Sequence, residues 1–189
     1  MTEATLWDYK DHLDLDYPEI NFNLLGFVGL HLEDIPVTEN NPDIVPDLAF
    51  DVERRPWVNG AVAERGAHIT LLYGLIKPAH EQAAIIEQLL DGIHFSHAYV
   101  DNVSIFGHPS DEQTPIVAEL TPSPELREAN RRLRFLPHVD TYVEFKPHVT
   151  LAYVKRDTAK FWRARLDEQY YGKKLHLTQD IDLGEKILA

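Results

Sequence analysis

Ala67-His-Ile-Thr-Leu-Leu-Tyr73 and Pro147-His-Val-Thr-Leu-Ala-Tyr153 share the pattern His-[Ile/Val]-Thr-Leu-x-Tyr, with its histidines at positions 68 and 148. Both copies are rich in β-branched and aromatic residues and read as strands. Strict alternation puts His68 and Thr70 on one face and Ile69, Leu71 and Tyr73 on the other; in the second copy His148 and Thr150 oppose Val149, Leu151 and Tyr153. On that reading Tyr73 and Tyr153 pack in the core. If the two strands lie near each other, two imidazoles and two hydroxyls converge on one cleft. Hydroxyls donate to phosphate oxygens, a neutral imidazole takes a proton from water, and a protonated one gives a proton to a leaving oxygen.

Working outward, Asn23 to Leu32 reads as a buried strand weakened by Gly26 and Gly29. Pro78 to Leu90 reads as a helix stopped by Gly92, with Ala83, Ile86, Leu89 and Leu90 at helical spacing. Phe95 to Phe106 and Ile116 to Leu120 alternate as strands. A second helix starts after Ser123, the expected N-cap, with Pro124 in its first turn and Leu126, Ala129 and Leu133 inward. A strand over His148 to Val154, a helix from Thr158 to about Tyr170 and a strand over Lys173 to Ile181 complete the order. The class is α+β with mixed strand pairing.

Within the 189 residues, 44% are hydrophobic, enough for one domain with a real core. The expected organisation is an acidic N-terminal appendage over 1–22 and a single domain over 23–189. That domain carries a long, proline-punctuated loop insert at 33–66, without helical or strand periodicity. The chain has no cysteine, which excludes disulfides, thiolate nucleophiles and iron–sulfur clusters and suits a cytoplasmic location. No basic leader or long apolar run is apparent, so neither secretion nor a membrane span is expected. The net charge of −13 argues against duplex DNA as a partner. Met1 to Glu53 hold 13 acidic residues and one basic residue, so the rest of the chain is nearly neutral and has room for a local positive pocket.

The two His-x-Thr motifs resemble those of the 2H phosphoesterase superfamily, and Phe145-Lys-Pro-His-Val-Thr-Leu151 is similar to the second motif of that family. The resemblance implies a bilobal, pseudo-symmetric α+β fold with mixed or antiparallel sheets, helices packed outside and a central cleft. It also implies metal-independent hydrolysis of a cyclic or nucleotide-linked phosphodiester without a cofactor. His68 and His148 would be acid and base, and Thr70 and Thr150 would hold the phosphate. The expected substrate is a 2′,3′-cyclic nucleotide, an RNA end or a cyclic oligonucleotide signal. A 2′-5′ end-processing or ligase-like enzyme, and a catalytically idle nucleotide-binding module, are the alternatives. Histidine-triad hydrolases are excluded, because neither His68 nor His148 has a second histidine two residues away.

Further substrate-binding candidates are His31 on the first strand, Lys146 just before His148, and Arg54, Arg55, Trp57 and Arg65 in the insert. The last four form either a base-stacking, phosphate-screening loop or a surface loop anchored by Trp57. His94-x-x-His97 lacks a third ligand at useful spacing, so no metal site is expected.

Overall fold

The computed structural model describes residues 24–32, 67–107, 113–140 and 144–187. The appendage, and the insert with Arg54, Arg55, Trp57 and Arg65, lie outside the described residues. The elements are β1 (Leu24–Leu32), β2 (His68–Leu75), α1 (Ala83–Leu90), β3 (His97–Ile105), β4 (Gln113–Thr121), α2 (Pro124–Leu133), β5 (His148–Lys155), α3 (Ala159–Tyr170) and β6 (Lys174–Ile187).

They form a six-stranded sheet in the order β2-β1-β6-β3-β4-β5. Every pairing between these strands is antiparallel, the second of the two arrangements expected, mixed or antiparallel. β6 also extends further than its sequence reading to Ile181. Ile181 and Leu183 continue its alternation past charged Asp180 and Asp182, and β1 pairs with it as far as Ile187. The first part of β6 pairs with β3 and the second with β1, so one strand joins two halves. Where β6 leaves β3, α3 takes over its edge. Arg163 Nε donates to the Val103 carbonyl at 2.7 Å, and the Val103 amide donates to Asp167 Oδ1 at 3.2 Å. These bonds satisfy backbone groups that would otherwise be open.

The helix expected over Pro78–Leu90 is a 3₁₀ turn over Ala79–Gln82 followed by α1. α2 begins as its sequence predicts: Leu126 N donates to Ser123 Oγ at 3.3 Å, with Pro124 in the first turn. Leu126, Ala129 and Leu133 are wholly buried in the core, where α2 lies against β2. α1 and α2 are tied together by Arg132, whose Nη1 donates to the carbonyls of Leu89 at 3.1 Å and Asp91 at 2.9 Å, groups left unpaired at the C-terminus of α1. Helices and one sheet face share a single apolar core, which leaves the other face for polar residues. No helix among the described residues is long and apolar enough to cross a membrane.

Candidate functional site

β2 and β5 occupy opposite ends of the strand order, yet their Cα atoms approach within 8 Å. The fold thus brings together the two strands that carry the motifs. In β2, Ile69 and Leu71 are fully buried in the core while His68 and Thr70 are half-buried on the open face. In β5, Val149 and Leu151 are buried and His148 and Thr150 half-buried. This much follows the alternation of the sequence.

Beyond each threonine the alternation breaks. Gly29 pairs with Thr70 but Val28 pairs with Leu72; likewise Val117 pairs with Thr150 but Ile116 pairs with Ala152. An extra residue therefore bulges at Leu71 and at Leu151, the same position of both motifs. A bulge puts two successive side chains on one face, so Leu71 and Leu72, and Leu151 and Ala152, are all buried. In β2 the face of the residue that follows flips. Tyr73, expected in the core, is half-buried and returns to the face of His68 and Thr70. The next residue, Gly74, has a φ of 92°, and a Cβ there would overlap the Val139 carbonyl oxygen, so only glycine fits.

Each motif imidazole packs against a phenylalanine. The His68 ring stacks on Phe27 of β1, with centroids 5.4 Å apart and planes 21° apart. The His148 ring lies 4.9 Å from Phe106, just beyond β3. His148 Nδ1 is 3.0 Å from the Lys146 carbonyl oxygen. A carbonyl only accepts, so Nδ1 carries the hydrogen, and in the neutral ring Nε2 keeps the lone pair. Lys146 is thus linked to His148 by its backbone, and its side chain is exposed. His31 pairs directly with His68 across β1 and β2, which puts it on the motif face.

Sequence reading missed several neighbours, because strand register is not written in any one strand. Glu119 pairs with both His148 and Asn102. The Ser104 hydroxyl donates to Glu119 Oε1, and Asn102 Nδ2 donates to Ser104 Oγ at 2.8 Å and to Glu119 at 3.4 Å. The acid beside His148 is held from behind by this network. In the other half Asp182, 8% exposed, pairs with Gly29. An added Cβ at Gly29 would sit 3.3 Å from His68 Cδ2 and 3.4 Å from both Asp182 Cβ and Phe27 Cε2. Gly29 is the gap into which the His68 ring fits. Among the described residues, no three His, Asp or Glu side chains converge as metal ligands, and His94 is exposed.

Comparisons with known proteins bear on this arrangement. A structure of Usb1 from Kluyveromyces marxianus superposes with a TM-score of 0.46 and 10% identity, over 90% of this chain and all of that one. No curated protein matches the chain by sequence. The model of the 2′-5′ RNA ligase superfamily matches residues 50–180, a span that holds both His-x-Thr motifs and most of the sheet. With that match over more than half its length, the chain belongs to the 2′-5′ RNA ligase superfamily, among the 2H phosphoesterases that its paired motifs resemble.

Proposed function

We propose that the chain is a metal-independent phosphodiesterase that hydrolyses a cyclic or nucleotide-linked phosphodiester on a nucleotide or the end of a short single-stranded RNA. The observation that carries this reading is the repeated constellation: two motif strands in contact, each presenting a half-buried His and Thr on the face away from the core.

In the proposed reaction the Thr70 and Thr150 hydroxyls donate to the non-bridging phosphate oxygens. His148 is cast as the base, because its Nδ1–H is committed to the Lys146 carbonyl and Nε2 keeps the lone pair. It takes a proton from water as the water oxygen attacks phosphorus. The bond to the leaving ribose oxygen breaks, and His68, protonated, gives that oxygen its proton. The phenylalanine against each ring limits its rotation and keeps it aimed.

The test is incubation with 2′,3′-cyclic nucleotides, cyclic di- and trinucleotides, a 2′-5′ dinucleotide and a short RNA, all in EDTA, with products identified by mass. Addition of one water to a phosphodiester in EDTA is the expected result. Activity that appears only with a divalent ion would reject the mechanism. Joining of ends would favour the ligase-like reading, and binding without turnover the idle module.

A further inference from the structure

A second polar patch lies on the same open face. His97 of β3 pairs with His176 of β6, and Tyr99 pairs with Lys174. The residues between them, Ala98 and Leu175, are 2% and 0% exposed, so these four side chains stand on the face away from the core. Tyr99 is 47% exposed, with its ring edge-on to His97 at 5.3 Å between centroids, and Lys174 and His176 are exposed.

The patch continues the candidate site. His68 pairs with His31, and the Thr178 hydroxyl donates to the His31 carbonyl at 3.0 Å. Thr178 lies two residues from His176 on β6, and His176 pairs with His97. From His68 to His97 the path crosses three inter-strand gaps, about 14 Å at about 4.8 Å each. That distance suits a ligand longer than one nucleotide.

We propose that His97, Tyr99, Lys174 and His176 form a subsite for the single-stranded RNA that extends from the scissile phosphodiester. The inference rests on the phosphodiesterase reading. Charge sets the direction of the strand. β6 carries Asp180 and Asp182 towards the β1 half but Lys174 and His176 beside β3, so a polyanion leaving His68 favours the second end. Tyr99 supplies a flat ring for a base, a contact tolerant of sequence. Glu125, an acidic neighbour of His97 in the first turn of α2, limits the attraction. Binding therefore relies on stacking plus a few phosphate contacts.

The experiment compares a fluorescein-labelled, mixed-sequence RNA hexanucleotide with a dinucleotide, using the full chain and its Tyr99→Ala and Lys174→Ala variants. Both residues are exposed, and melting temperatures verify that the variants fold. The wild type should prefer the hexanucleotide by about 10-fold in kcat/KM, and Tyr99→Ala should remove most of that preference through KM. Lys174→Ala should lower the slope of log affinity against log salt by about 0.7, the loss of one phosphate contact. Equal kcat/KM for the two RNAs in the wild type, or an unchanged preference in Tyr99→Ala, would overturn the subsite and leave the phosphodiesterase reading intact. If neither RNA is cleaved, linear RNA falls as the substrate of the phosphodiesterase reading and fluorescence anisotropy decides the subsite. A loss of about 10-fold in hexanucleotide affinity in Tyr99→Ala would then support it; unchanged affinity, or no binding by the wild type, would overturn it.

Discussion

Replacing Gly29 by Ala is the most discriminating perturbation of the proposed active site, because it adds one methyl group beside His68 without touching a motif residue. Gly29 is not one of the positive-φ glycines, so its backbone accepts Ala. The new Cβ would meet His68 Cδ2 at 3.3 Å and Phe27 Cε2 and Asp182 Cβ at 3.4 Å. Carbon atoms settle at about 3.5–4.0 Å, so the neighbours must give by a few tenths of an ångström on three sides. The His68 ring is stacked on Phe27 and moves with it or slides off it. A misplacement of about 1 Å costs on the order of 100-fold in rate; half of that implies a loss of about 10-fold in kcat. Overpacking costs about 1–3 kcal/mol, and the stiffer unfolded chain returns about 0.4–1 kcal/mol. The net is about 1 kcal/mol, or about 2–4 °C in Tm for a domain of this size. The assay is initial rate at saturating substrate, with Tm measured on the same preparation. Gly26→Ala is the control: its Cβ would meet Ala79 N and Leu75 Cβ at 3.2 Å and the Lys77 carbonyl at 3.3 Å, so it strains packing away from the imidazole. Stability should fall in both variants, but kcat per folded molecule only in Gly29→Ala. A Gly29→Ala enzyme with a lowered Tm and a kcat within twofold of wild type would refute the claim that the His68 ring position matters to the reaction.

Replacing His68 or His148 by Ala should each lower kcat by about 10²–10⁴, and the double variant should lose less than the product of the two, as groups acting on one transition state do; a single variant with near-full activity and a native circular dichroism spectrum would rule out the paired mechanism. Thr70→Val and Thr150→Val keep shape and strand propensity, so turnover should fall while Tm holds; a fall in Tm at constant specific activity would make the threonines structural. Glu128 is hydrogen-bonded to Arg131 and Arg132, which hold its carboxyl down at about 2 against an ordinary 4.5. A depressed carboxylate stabilises the fold above its unfolded value and loses that contribution as pH falls through its folded one. The Tm gap between wild type and Glu128→Gln should therefore be full above pH 4.5 and close towards about pH 2; a gap that widens on acidification would contradict the sign.

Local chemistry made part of this molecule legible and register hid the rest. Ser123 and Pro124 announce the start of α2, and Leu126, Ala129 and Leu133 announce its inner face, because capping and helical periodicity depend on residues a few positions apart. His68, Thr70, His148 and Thr150 were visible because duplication repeats the signal. Phe27, Glu119 and Asp182 gave no such signal. Each lies on a strand distant in sequence from the imidazole it serves, and each is placed by pairings set by the whole sheet. The charged run after Ile181 concealed the last part of β6, since Asp182 looks like a surface residue until β1 covers it.

The tyrosines carry the lesson further. Alternation assigned Tyr73 to the core, and the bulge at Leu71 returned it to the motif face. A trace of that bulge exists in the sequence. After each threonine come two apolar residues in succession, Leu71-Leu72 and Leu151-Ala152, and strict alternation would set Leu72 and Ala152 among the histidines and threonines. Exposing apolar side chains there in both copies would forfeit their burial, on the order of 1.5–3 kcal/mol for a leucine. A bulge avoids that loss by turning both apolar residues inward, and it twists the strand just beyond the His and Thr of each motif. The same insertion at the same position in both halves makes it part of the duplicated unit. The repeated pattern therefore encodes a break in the strand as well as the His and Thr pair proposed for catalysis, and the break is what brings Tyr73 alongside His68 and Thr70.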